Sequence, residues 1–208
     1  MTKEELVKGY RVREILAAAR KVIGRFGFEG TTIDRVAEEA QVAKGTIYLY
    51  FADKEELLHN AVVEGVRELT CELQRNDRLD APPIDRLGNL VREMFRIENS
   101  NEDFLKALIL GSRFVTFAPG DQREEELRRV YFAMLDYLAS DLRCAVEHGA
   151  IRNIDPQLAS FMLSEMMTGS IRRRLVGLAT TPPETDAEAV LELFLYGVRG
   201  VTPEAKGR

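Results

Sequence analysis

Lys44-Gly45-Thr46, followed at short range by Tyr48 and Tyr50, is the group of residues best placed to do chemistry. Lys44 supplies a cation. Gly45 has no side chain, so backbone at that point can come close to a base edge. Thr46 offers a hydroxyl for hydrogen bonding or a methyl for thymine. Tyr48 and Tyr50 carry hydroxyls on long, rigid stems that reach phosphate oxygens beside a groove. Lys54 follows Asp53 at a helix start, where free N–H groups and partial positive charge attract phosphate. Thr32, heading an earlier helix, offers a similar contact from the other side. This is the chemistry of holding a duplex, not of making or breaking bonds.

The elements that must position these groups are legible between Thr32 and Leu58, which read TIDRVAEEA-QVA-KGTIYLYF-AD-KEELL. The pattern predicts a short amphipathic helix, a three-residue turn, a second short helix and a capped third one. Two short helices on a tight turn form the smallest unit that pushes one helix into a major groove. Thr32 is placed to cap the first, with Ile33, Val36, Ala37 and Ala40 inward. Ile47 and Phe51, four apart, face back onto the core. Asp53 with Glu56 forms a capping box for the third. Upstream, Val12, Ile15, Leu16, Ala19, Val22, Ile23 and Phe26 lie on one helical stripe, and Gly27 suits a left-handed cap.

Beyond residue 58 the periodicity stays helical. A helix from Lys54 to near Asn76 turns Leu58, Val62, Val66, Leu69 and Leu73 inward, before a break from Asp77 to Pro83. Further helices are predicted through Ile84–Phe95, Phe104–Phe117 and Asp121–Val146, the last stopped by Gly149. Asp155 caps a helix with Pro156 at its first position, reaching about Leu178, and Thr185 with Glu188 opens the final one. The expected fold is all-α, with about nine helices: an N-terminal three-helix helix-turn-helix domain over residues 1–53 and a larger helical domain over 54–208.

Bulk properties narrow the function classes. The chain has 208 residues, 45% hydrophobic and 30% charged, with net charge -5. Residues 1–60 hold ten Lys/Arg and ten Asp/Glu, so the rest carries the whole deficit. Phosphate affinity depends on where charges sit rather than on their sum. No apolar run approaches the roughly 20 residues of a membrane helix, and the N-terminus lacks an apolar signal core. Cys71 and Cys144 have no paired spacing, which argues against a disulfide framework or zinc site. A cytoplasmic protein without cofactor or metal is expected. Gly24-x-x-Gly27-x-x-Gly30 follows no strand and reads as a helix end and connector. GxxxxGK[ST], HExxH and GxSxG do not occur, and His59 and His148 are isolated, so an enzyme is not expected.

The segment over about residues 10–58 resembles the DNA-binding domain of the TetR family of bacterial regulators. The resemblance is carried by Phe26, Gly27, Thr31-Thr32, Ile33, Ala37, Ala40, Val42, Lys44-Gly45-Thr46-Ile47-Tyr48, Tyr50-Phe51, Lys54 and Glu56-Leu57. It implies that Thr32, Lys44, Tyr48, Tyr50 and Lys54 contact phosphates while Gly45 and Thr46 approach bases. Ala43 stands where family members often carry Ser; losing such a cap costs about 1 kcal/mol.

One recognition helix contacts too few bases to find a genomic site, and helix-turn-helix proteins commonly act as two-fold dimers on near-palindromic duplexes. The last two helices are the candidates for a homodimer surface, through Leu158, Phe161, Met162, Val190, Leu191, Phe194 and Val198, with Ala159, Ser160, Ser164 and Gly169 permitting close approach. The alternative is that they close the monomer core. The resemblance also implies a small effector among the middle helices. Met94, Phe104, Phe114, Phe117, Tyr131, Met134, Tyr137 and Met166 are candidates for an adaptable apolar wall, or plain core. Arg172-Arg173-Arg174 cannot all face one pocket, because successive helical residues point about 100° apart; a solvated face, a pair with Glu165 or an acidic effector group are the options. The expected function is a dimeric regulator, a repressor released from double-stranded operator DNA by a lipophilic effector. The alternative is a helical small-molecule carrier with a vestigial helix-turn-helix.

Overall fold

Helical periodicity becomes nine α-helices, without a strand, among the described residues 2–77, 80–100, 102–110 and 122–198 of the computed structural model. They are α1 (Lys3–Gly30), α2 (Ile33–Glu39), α3 (Lys44–Tyr48), α4 (Lys54–Asn76), α5 (Pro83–Ser100), α6 (Glu102–Leu110), α7 (Gln122–Glu147), α8 (Pro156–Leu175) and α9 (Pro183–Val198). Local side-chain chemistry sets several of the boundaries. Thr32 accepts from the Arg35 N–H at 3.3 Å. Asp53 accepts from Glu56 N–H at 2.6 Å, and Glu56 reaches back to the Ala52 N–H at 2.6 Å. Asp155 accepts from Gln157 N–H at 3.0 Å, with Pro156 next. Each satisfies a backbone donor that the helix itself cannot. Gly27 interrupts α1 with φ 67°, and helix resumes to Gly30.

The chain divides into two compact units, residues 1–71 with 100–131, and residues 72–99 with 132–208. These units are drawn differently from a division at residue 53. The first takes in residues 54–71 of α4, α6 and the start of α7. Its core is one cluster including Ile15, Ala19, Ile23, Val36, Ile47, Leu57 and Ala61. Ile47 is fully buried, and burying such a side chain is worth about 2 kcal/mol. That contact fastens the five-residue α3, far too short to be helical alone, to the rest of the unit. Helix α6 lies against α1 at Gly24, where a Cβ would stand 2.8 Å from that of Asp103.

The second unit buries an ionic network. Arg86 donates to Asp77 at 2.9 and 3.3 Å and to Asp141, and the Tyr137 hydroxyl donates to Asp77 at 2.6 Å. Two buried carboxylates share one guanidinium, and Asp141 Oδ2 has no hydrogen-bond partner. Burial pushes the Asp141 carboxyl up to about 6; the nearby Arg86 opposes that rise and Asp77 adds to it. A carboxyl raised in the folded state binds its proton more tightly there than when unfolded. Its contribution therefore falls as pH climbs from about 4 to about 6. Urea unfolding followed by circular dichroism should show Asp141→Asn losing up to about 3 kcal/mol of that pH dependence. Parallel stability curves for the two proteins across this window would refute it.

A second cluster joins α8 to α9. Asp186, buried in the first turn of α9, accepts from Arg173 at 2.8 Å, Arg174 at 3.3 Å and the Thr181 hydroxyl at 2.9 Å. Two members of the arginine triplet are thus committed to one carboxylate, while Arg172 is exposed.

Candidate nucleic-acid interface

The interface is built on α2, the turn and α3. Ala40 donates to Val36 O at 2.9 Å and Val42 to Ala37 O at 2.9 Å, which ends α2 tightly. Between them Gln41 adopts φ 55°, the one left-handed non-glycine among the described residues. That conformation costs a residue bearing a Cβ about 1 kcal/mol or more. Gln41→Gly should accordingly stabilise the first unit by about 0.5–1 kcal/mol, the relief exceeding the added freedom of the unfolded chain. An unchanged or lower denaturation midpoint would contradict this.

Helix α3 starts at Ala43, which makes no side-chain cap. Ile47 and Phe51 are buried, so the opposite side of the helix is left outward. Lys44, Gly45 and Tyr48 are exposed and Thr46 is half-buried. Tyr50 is half-buried and packs on the core cluster with its ring. Thr32 is exposed at the head of α2, and Lys54 half-buried at the head of α4. Next to Lys54, the Glu56 N–H holds the Asp53 carboxyl below its ordinary value, so the cap stays ionised.

Gly45 leaves the outward side of α3 open. It lies inside α3 without a positive φ, and a Cβ built there meets nothing within 4 Å. Neither backbone conformation nor packing within the protein calls for glycine at this position. A glycine in a helix costs up to about 1 kcal/mol relative to alanine. Its lack of a side chain on this exposed helix leaves room for a close approach from outside. Beside Gly45, Lys44 Nζ lies 2.9 and 3.0 Å from the two oxygens of Asp34, which were not among the sequence-predicted site residues.

The chain is similar to known proteins. The family model for bacterial regulatory proteins, tetR family, matches residues 15–61. An uncharacterized HTH-type transcriptional regulator of Bacillus subtilis, YfiR, is 30% identical over 183 residues, covering 84% of each chain. The chain belongs to the TetR family. Another B. subtilis HTH-type regulator, YhgD, is 29% identical over 92% of this chain and 97% of its own. The fold matches the B. subtilis regulator FadR, whose crystal structure is a complex with stearoyl-CoA, at TM-score 0.78 and 21% identity. That match covers 90% of this chain and 99% of FadR.

In this TetR-family chain the remaining candidates separate. Of the apolar wall, Met94, Met134, Tyr137 and Met166 belong to the second unit and Phe104 and Tyr131 to the first. Phe104 packs on the first unit's core cluster, its ring 2.9 Å from where a Cβ on Gly65 would stand. Tyr137 is tied to Asp77. Phe114 and Phe117 lie outside the described residues, as does the side chain of Val198. In the second unit, a cleft of about 460 Å³ is lined by residues that sequence reasoning did not single out as site residues, including Asn76, Asn89, Arg92, Arg96 and Glu188.

The dimer candidates need a correction. Val190, Leu191 and Phe194 are at most 5% exposed within their own chain, so they close the core of the second unit. Ala159, Ser160 and Ser164 also face inward. Leu158, Phe161 and Met162 on α8 are exposed, and α9 exposes Leu193 and Tyr196 instead, at 68% and 85%.

Proposed function

We propose that the chain is a dimeric regulator that represses transcription by binding a near-palindromic operator and leaves it when a small lipophilic effector binds. Residues 1–53, with Lys54 at the head of α4, supply the DNA contacts, and residues 54–208 the effector-binding and dimerisation functions. Thr32, Lys44, Tyr48, Tyr50 and Lys54 hold phosphates, and Gly45 and Thr46 approach base edges. The observation that carries this reading is Gly45, a glycine with no use inside the protein on an exposed helix flanked by a lysine and tyrosines. The chain's membership of a family of transcriptional regulators supports it.

A second copy of the chain is the occupant proposed for the exposed apolar side chains of α8 and α9. Leu158, Phe161, Met162, Leu193 and Tyr196 are large exposed apolar side chains on two helices that pack together, and a contiguous surface of this kind marks an interaction site. The stearoyl-CoA of FadR favours an effector with an apolar chain, for which Met94, Met134 and Met166 are candidate wall residues.

The test is capture of sheared genomic DNA on the purified protein at low salt, followed by elution with rising salt. A restricted set of fragments should be retained and should elute over roughly a fourfold rise in salt, as phosphate contacts demand. Retention of nothing, or of all fragments alike, would refute the reading.

A further inference from the structure

We infer that Asp34 is a specificity-setting residue, which cancels the charge of Lys44 so that the surface gains little affinity from phosphates alone. The inference rests on the DNA-binding reading and goes beyond it, because it assigns a role to an acidic residue within the contact surface.

Asp34 occupies the first turn of α2, two residues after the exposed Thr32. Its side chain is 70% exposed, and that of Lys44 is 51% exposed. The carboxylate spans a gap of ten residues in sequence to meet the ammonium with both oxygens, at 2.9 and 3.0 Å. Such an exposed pair holds weakly and contributes little to the fold. Its consequence lies elsewhere. Sequence-independent affinity for duplex DNA comes from cations that replace condensed counterions on phosphates. A lysine already matched by a carboxylate delivers no net charge to the backbone. To touch a phosphate it must leave Asp34, and it then brings an uncancelled carboxylate beside the phosphate oxygens. Random duplex is penalised in full. At the correct site the base contacts of Thr46 and the close approach at Gly45 add affinity that random sequence lacks. The ratio between the two is what a regulator needs among many competing genomic sites.

The experiment uses the full chain, a random 30-base-pair duplex and one fragment retained in the capture experiment, with affinities measured across a salt series. Asp34→Asn removes the charge and keeps the shape. It should raise affinity for the random duplex by about three- to tenfold. It should also steepen the slope of log affinity against log salt by about 0.9, the value for one additional phosphate neutralised. The retained fragment should gain less, so discrimination falls. Asp34→Glu, which keeps the charge, should retain the wild-type slope. Wild-type affinity and slope in Asp34→Asn would overturn the inference while leaving DNA binding standing. Loss of the retained fragment alone would overturn it too, and would assign Asp34 instead to a cytosine amino group. Failure of the DNA-binding reading itself is a separate result, visible as wild-type protein that binds neither duplex.

Discussion

Lys44→Ala should weaken binding to a specific fragment by roughly tenfold and lower its salt slope by about one, with a smaller loss on random duplex, where Asp34 already cancels the charge. Lys44 is half exposed, and its partner Asp34 is a weak tie between two solvated side chains. Removing the lysine therefore takes a cation from the surface and leaves Asp34 uncompensated within it. Both changes act against phosphate. The fold should be nearly indifferent, since exposed pairs contribute between about 0 and 1 kcal/mol. Affinity titrations over a salt series, with denaturation midpoints beside them, separate the two effects. A variant that loses one fragment but keeps its salt slope would place Lys44 on a base rather than on the backbone.

Gly45→Ala should move stability and DNA binding in opposite directions. An alanine fits α3 without collision, because its Cβ would meet nothing within 4 Å. It removes the glycine penalty of about 0.5–1 kcal/mol, so the denaturation midpoint should rise. The same methyl would stand between the α3 backbone and an approaching base edge. Affinity for a specific fragment should fall about tenfold or more, comparable to the loss of a good base contact. A merely structural glycine could not give this pair of results. If both quantities fall together, Gly45 is doing something for the fold that its open surroundings do not reveal.

Where the chemistry was local, the fold could be read from the chain. Thr32, Asp53 and Asp155 each cap the helix they precede, because a cap joins a side chain to a backbone donor two or three residues away. The inward stripe of α1 from Ile15 to Ile23 and the burial of Ile47 and Phe51 follow from the helical period, whereas Phe26, placed on the same stripe, is 48% exposed. Other features depend on partners the chain does not announce. Gln41 takes the left-handed turn position without being glycine or asparagine, so no turn signal marks it. Asp34 meets Lys44 only because the turn folds α3 back beside α2.

Phe104, a candidate for the apolar wall, packs on the first unit's core cluster, where Gly65, from a distant segment, leaves room for its ring. Helix α9 shows why the proposed dimer residues were only partly legible. Val190, Leu191, Leu193, Phe194, Leu195 and Tyr196 are apolar on nearly every side. Periodicity cannot then say which side meets the chain's own core, and packing alone puts Val190, Leu191 and Phe194 inward and Leu193 and Tyr196 outward. The arginine triplet is similar: nothing near it in sequence points to Asp186, which lies beyond a turn.

Hydroxyl-radical footprinting of a captured fragment tests the central claim most directly, that α3 enters the major groove from an exposed edge of the first unit. Two protected patches on one face of the duplex, centred about one helical turn or a small multiple apart, are predicted, both fading with Lys44→Ala and Gly45→Ala. Protection that is uniform along the fragment, or that survives both substitutions unchanged, would contradict the account.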